Sequence, residues 1–244
     1  MKKNFEQILE LPSFIFFCND INQNTAKFNK EESWHCIKVL RHKIGDLVWF
    51  TDGKGYLYEG AIASNNPDKC VINIIRTEYT HNKSQAKLTI AIAPSKNQSR
   101  YEFFIEKAVE IGIYKIQPII CKRGYKINFK QHRIEKIVLS AMKQSLKTFL
   151  PEINQPLSFA DFCVSSNEKQ KFIAHYDKYN VQLLDIAKSF IDTVIVIGPE
   201  GDFTDEEINF ATSQGFVPIN LGNSRLRTET AALTACVLFN SINL

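Results

Sequence analysis

The sequence predicts an α/β protein in which helices cover both faces of a mostly parallel sheet, with a small β-barrel in front. Three observations carry this. From Lys87 onward, strand-like apolar runs alternate with segments of helical periodicity, the order that builds parallel sheets. Before residue 80 the runs are short, β-branched and aromatic, with turn residues between them. Residues 80–86, THNKSQA, are polar and aperiodic, so they mark a linker and set the domains at 1–79 and 87–244. With 244 residues, 44% of them apolar, each region has material for a core.

In the first region SFIFFC, DLVWFTD, YLYEGAIA and CVINIIRT read as strands, and DGKG at 52–55 is a glycine-containing hairpin connection. One helix interrupts. In EESWHCIKVLRHK, the residues Trp34, Ile37, Leu40 and Ile44 recur at helical spacing before Gly45 stops the run.

The second region begins with KLTIAIA as a strand. RYEFFIEKAVEIG is a helix with Phe104, Ala108 and Ile111 on one face and Gly112 as a left-handed cap. KIQPIIC is the next strand, and RIEKIVLSAMKQSLKTF aligns Ile134, Ile137, Val138, Ala141 and Leu146 on a helical stripe ending before Pro151. The strands KFIAHY and TVIVIG flank a helix, VQLLDIAKSF. Helix TDEEINFATSQG, strand FVPINLG and helix TETAALTACVLFN complete the order.

Composition excludes several classes. The longest apolar runs fall far short of the ~20 residues of a membrane helix, so a soluble chain without a membrane partner is expected. MKKNFEQILELP carries acids and no small-residue cleavage site, a poor secretory signal. The six cysteines, Cys18, Cys36, Cys70, Cys121, Cys163 and Cys236, form no C-x-x-C pair, and reduced thiols in a cytoplasm fit them best. The five histidines show no paired metal spacing and no G-x-S-x-G appears, so neither a metal nor acyl transfer is expected. Absence of G-x-G-x-x-G disfavours a nicotinamide or flavin.

Charge is uneven. Residues 81–150 hold fourteen Lys/Arg against four Asp/Glu, whereas 151–244 hold six against twelve. Such a segmental excess suits a polyanion partner, although a solvated helix face would read the same. Within it, CKRGYKINFKQHRIEK interleaves Lys122, Arg123 and Lys126 with Tyr125 and Phe129, the mixture of cations and stacking rings found in RNA readers. HCIKVLRHK, with His35, Lys38 and Arg41, is a smaller case.

Two turns follow strands and open helices. In VIVIGPEGDFTDEEI, Gly198-Pro199-Glu200-Gly201 is held between a strand and a T-x-x-E capping box made by Thr204 and Glu207. Ligands of open α/β sheets bind beyond the carboxyl ends of strands, which makes Gly198–Phe203 a candidate; a tight connection without ligand is the alternative. In LGNSRLRTETAA, Thr228 suits an N-cap and Glu229 a first helical turn. Arg225 and Arg227, just before that helix, suit an anionic group.

Taken together, HCIKVLRHKIGD with FTDGKG, APSKNQSRYEFFIEKAVEIGI, AMKQSLKTFLPEI, IGPEGDFTDEEI and LGNSRLRTETAALTA resemble, almost end to end, the RsmE family of 16S ribosomal RNA (uracil-N3) methyltransferases of the SPOUT class. The resemblance implies a PUA-like RNA-binding barrel, a C-terminal domain with a deep trefoil knot, and a homodimer acting on 16S rRNA of the small ribosomal subunit. It implies S-adenosylmethionine held by His175, Gly198, Pro199, Glu200 and Gly201 on one side and Leu221, Gly222, Ser224 and Leu226 on the other. Arg227 and Glu229 would serve the chemistry, and His35, Lys38, Arg41, Lys96, Arg100, Lys122, Arg123 and Lys126 the RNA. Another SPOUT-class enzyme acting on tRNA, or an inactive RNA-binding relative, would share much of this pattern. The chain departs from the family at Asp202, where a glycine is common, at Asn97, at Lys147 in place of arginine, and in lacking an arginine around Ser13.

Overall fold

The computed structural model describes residues 12–80, 86–125, 129–176 and 181–243. The stretch read for a secretory leader, most of the expected linker and Lys126 lie outside the described residues. Two compact units form: Met1–His81 with Met142–Leu150, and Asn82–Ala141 with Pro151–Leu244.

The first unit is a six-stranded sheet in the order β1-β4-β5-β6-β3-β2. Its strands are β1 (Phe16–Phe17), β2 (Asp20–Ile21), β3 (Thr25–Lys27), β4 (Leu47–Thr51), β5 (Tyr56–Ser64) and β6 (Val71–Tyr79). The edge strands β1 and β2 are separated by only Cys18 and Asn19, so the sheet must curl until its edges meet. Cys18 spans the seam: its N–H donates to Thr51 O and its thiol to Lys27 O. Phe16, Phe28, Phe50, Ile62 and Ile72 fill the interior. The strands β2 and β3 have two and three residues and no apolar alternation, which hid them from the pattern.

The expected helical stripe of Trp34, Ile37, Leu40 and Ile44 is corrected by the structure. Helix α1 (Lys30–Trp34) passes into a π-helical turn, His35–Val39, in which Leu40 N–H donates to His35 O. The widened turn breaks the 3.6-residue register. Trp34, Leu40 and Ile44 are 55%, 42% and 61% exposed, Ile37 is partly buried, and Glu32, Ser33 and Cys36 face inward instead. Ser33 explains the polar choice, since its hydroxyl donates to Phe28 O and accepts from Cys70 N–H, bracing two strand ends.

Residues 142–150 belong to this unit through specific bonds. Thr148 O accepts from Thr51 Oγ1 and Gly55 N–H, and Leu150 N–H donates to Gly53 O. Lys143 pairs with Glu32, which is 3% exposed.

The second unit has a seven-stranded sheet in which every pairing is parallel. In chain order it comprises β7 (Leu88–Ile92), α2 (Gln98–Ile111), β8 (Lys115–Ile120), α3 (Gln131–Gln144), β9 (Glu152–Ile153), β10 (Leu157–Ser158), α4 (Phe159–Ser165) and β11 (Gln170–Ala174). Then come α5 (Leu183–Ile186), β12 (Thr193–Ile197), α6 (Asp205–Ser213), β13 (Val217–Ile219) and α7 (Thr228–Ile242). All five residues of both β7 and β12 are buried, as expected of central strands covered on both faces. Gly112 closes α2 at φ 117, the left-handed cap expected of it.

Four helices of this unit differ from the sequence pattern: α4 is absent from it altogether, and three others differ in their ends. α3 buries Ile134, Val138 and Ala141 but ends at Gln144, and Leu146 lies beyond it at φ 55. α5 is one turn, because the Gln170 side-chain amide captures Lys188 through both its N–H and its carbonyl and holds that backbone away from a helix. α7 is capped by Arg227, with Thr228 as its first residue rather than its N-cap.

Lys143→Met is expected to destabilise the protein by about 3 kcal/mol in denaturant unfolding, because Glu32 would keep a buried charge without its counter-ion. Glu32→Gln combined with Lys143→Met is expected to recover most of that loss.

Candidate active site

The site follows from strand register. Ile197 on β12 pairs with Ile92 of β7 on one side and with Ala174 of β11 on the other, and Ala174 pairs with Ile219 of β13. Four carboxyl ends therefore lie in one row, at the usual inter-strand spacing of ~4.8 Å. The loops leaving them start side by side.

A cavity of about 260 Å³ lies at this edge, entirely within the second unit. Its lining brings together His175 after β11, Gly198, Pro199 and Glu200 after β12, and Leu221, Gly222, Ser224, Leu226 and Arg227 after β13. Arg225 also lines it. Asp202, inside the candidate stretch Gly198–Phe203, lines it too, as do Asn220, Thr228 and Tyr176, which were not singled out in the sequence as ligand contacts. Two candidates fall outside the lining: Gly201, which faces the Arg123 side chain, and Glu229, whose carboxylate lies 3.7 Å from Arg100 Nε.

Each wall is fixed by polar contacts between loops. Thr228 Oγ1 donates to Gly198 O at 3.0 Å, joining the two motif turns directly. Glu200 accepts from Lys96 N–H, tying in the loop after β7. Arg123 donates from Nη1 to Gly201 O and Phe203 O, so its guanidinium shapes the loop after β12. The capping box forms as expected, with Thr204 accepting from Glu207 N–H and Glu207 accepting from Thr204 N–H. Glu207 accepts from Lys122 N–H as well, anchoring the loop after β8.

The glycines serve different ends. A Cβ on Gly198 would stand 2.9 Å from the Phe203 ring, so this glycine makes room for the loop's own aromatic anchor. Gly222 lines the cavity at φ 128, a left-handed backbone that favours glycine. Asp202 adopts φ 60, a left-handed conformation that costs a side-chain-bearing residue about 1 kcal/mol. Its Oδ1 accepts from Phe203 N–H at 2.7 Å and its Oδ2 lies 2.9 Å from His175 Nδ1.

The remaining cationic candidates are spread over both units. Lys38 and Arg41 are on the first, Arg41 exposed and Lys38 at the surface of the π-helical turn, where the half-buried His35 ring packs edge-on to Phe14 and Phe16. On the second, Lys96 lies over the Tyr125 ring and Lys122 reaches Glu206 at 3.6 Å. All six cysteines are free and buried. Burial pushes the Cys18 thiol up to about 11 and those of Cys163 and Cys236 up to about 12, which leaves them protonated and poor nucleophiles at neutral pH. Among the described residues no helix is long and apolar enough to cross a membrane, and no cluster of His, Cys, Asp or Glu could hold a metal.

A parallel α/β unit with its pocket at the strand ends follows a small barrel in the chain, and each part matches a family of RNA methyltransferase domains. The family model of the RNA methyltransferase domain matches residues 82–240, and that of the RNA methyltransferase PUA domain matches residues 28–75. The chain belongs to the RsmE family of RNA methyltransferases. It is 32% identical over 91% of its length to ribosomal RNA small subunit methyltransferase E of Mesomycoplasma hyopneumoniae, covering 98% of that protein. The Rickettsia conorii protein of the same name is 31% identical, with 82% of this chain and 83% of that one covered. Among solved structures, a probable rRNA-methyltransferase from Porphyromonas gingivalis superimposes with TM-score 0.89 at 34% identity, covering 94% of this chain and 98% of that one. Ribosomal RNA small subunit methyltransferase E of Neisseria gonorrhoeae, bound to S-adenosyl methionine, gives TM-score 0.86 at 25% identity, covering 95% and 98%.

Gly198→Ala is expected to lower stability by about 1–3 kcal/mol, because Phe203 must leave its packed position. A melting temperature within error of the parent protein would show that the Phe203 ring does not depend on this glycine.

Proposed function

We propose that this protein transfers a methyl group from S-adenosylmethionine to N3 of a uridine in 16S rRNA of the small ribosomal subunit. The observation that carries the reading is the cavity at the carboxyl edge of the sheet, lined by both motif turns. The residues suit the donor: Ile219, Leu221, Leu226 and Ala231 offer apolar surface, and Gly222 lets the backbone turn at the cavity wall.

When bound, S-adenosylmethionine supplies an electrophilic methyl group on a sulfonium sulfur. Neutral uridine carries a proton at N3, so the protein must favour its loss and orient the ring for in-line attack. Arg227, at the cavity rim, is suited to stabilise negative charge on uracil or its phosphate. The first-turn carboxylate of Glu229, paired with Arg100, fits a residue that orients a cation more readily than a free base. Lys38 and Arg41 on the first unit, within the PUA-matched residues, are candidates for phosphate contacts.

Two further parts of the reading rest on the same resemblance. One is a threaded, knotted course for the C-terminal segment. The other is a homodimer.

The direct test is transfer of labelled methyl from S-adenosylmethionine to small subunits lacking the modification, followed by nucleoside mass analysis. A 3-methyluridine product is expected; donor binding with no transfer to subunits, free rRNA or tRNA would refute the activity. Arg227→Ala is expected to slow transfer at least ~10-fold with donor affinity nearly unchanged. An unchanged rate would remove Arg227 from the chemistry.

A further inference from the structure

We infer that Asp202 is a positioning residue of the methyl-donor site and acts through His175. The inference rests on the donor reading proposed above and adds a residue to it.

Asp202 is a costly choice for its position. Its φ of 60 is one that glycine adopts freely, and a glycine there would meet the turn's backbone demand unaided. The carboxylate instead engages two partners on different loops. Oδ1 takes the N–H of Phe203, whose ring is buried under Gly198, and Oδ2 approaches Nδ1 of His175 at 2.9 Å. His175 follows β11 and Asp202 follows β12, so the contact clasps two walls of the cavity together.

The clasp also fixes the orientation of the imidazole. Nδ1 is the ring nitrogen on the Asp202 side, 2.9 Å from Oδ2. The contact is electrostatic more than a well-aligned hydrogen bond. The His175 side chain is only 12% exposed, so a ring flip would have to be made against packed surroundings. With Nδ1 beside Asp202, the ring is held in one orientation against the donor cavity.

The test is calorimetric titration of S-adenosylmethionine into the full-length protein and into Asp202→Gly, Asp202→Asn, His175→Ala and the Asp202→Asn/His175→Ala pair, with melting temperatures alongside. Both Asp202 variants are expected to weaken donor binding roughly fivefold. Their melting temperatures should stay within about 3 °C of the parent, since strain relief at φ 60 in the glycine variant, and a retained amide acceptor in the asparagine variant, offset the lost contacts. In the His175→Ala background, Asp202→Asn should have no further effect on affinity. Without donor, the nitrogen-15 shifts of His175 should differ between the parent and Asp202→Gly, because the ring loses the carboxylate beside Nδ1.

Unchanged affinity in Asp202→Gly would overturn the inference. So would an Asp202→Asn effect that persists in full without His175, or an affinity loss seen only with a large fall in melting temperature. If the parent binds no S-adenosylmethionine, the donor reading itself fails, and the His175 shifts then report whether the clasp exists apart from it.

Discussion

Parallel pairing in a common register is the constraint on which the site depends. Ile92, Ile197, Ala174 and Ile219 are matched across four strands, so the chain must leave the sheet at four neighbouring points on one edge. Loops far apart in sequence, around residues 175, 200 and 225, become the walls of a single cavity, and the loop around residue 96 is tied to them through Glu200. Continuous burial of β7 and β12 protects that register. A one-residue slip would turn each inward side chain to the opposite face and shift one loop relative to the next.

The polar contacts at the edge then convert adjacency into a defined shape. Thr228 to Gly198, Glu200 to Lys96, Arg123 to Gly201 and Phe203, and Glu207 to Lys122 each connect two loops. This alters the meaning of the basic segment seen in the sequence. Several of its cations are engaged within the protein: Arg123 with backbone carbonyls, Arg133 with Glu102, Lys143 with Glu32, and Arg100 with Glu229. The excess of charge on residues 81–150 thus serves partly to hold the fold, and its count overstates the charge left for a polyanion.

Legibility followed the range of the interaction. Alternating strands and helices, the Gly112 cap, the Thr204–Glu207 capping box and the two motif turns were readable because each is written within a few neighbouring residues. The Trp34 stripe misled because a π-helical turn changes the period, and the polar inward residue Ser33 is explained only by Phe28 and Cys70. Thr228 looked like a cap because hydroxyls favour that position, yet its hydroxyl serves Gly198, thirty residues away in sequence. Asp202 was visible as a departure at a glycine position, but its partner His175 becomes evident only when β11 and β12 lie side by side. Motif residues marked the pocket; the contacts that hold its shape needed the three-dimensional neighbours.

The return of residues 142–150 to the first unit has a genetic consequence. Neither unit is encoded by one uninterrupted stretch, since the barrel takes Thr148 and Lys143 from a segment inserted in the middle of the α/β unit. A recombination joint placed near residue 81 would hand the barrel to a new protein without the piece that supports Thr51, Gly53 and Glu32. A barrel moved as a cassette would keep these contacts only if it carried the helix end with it.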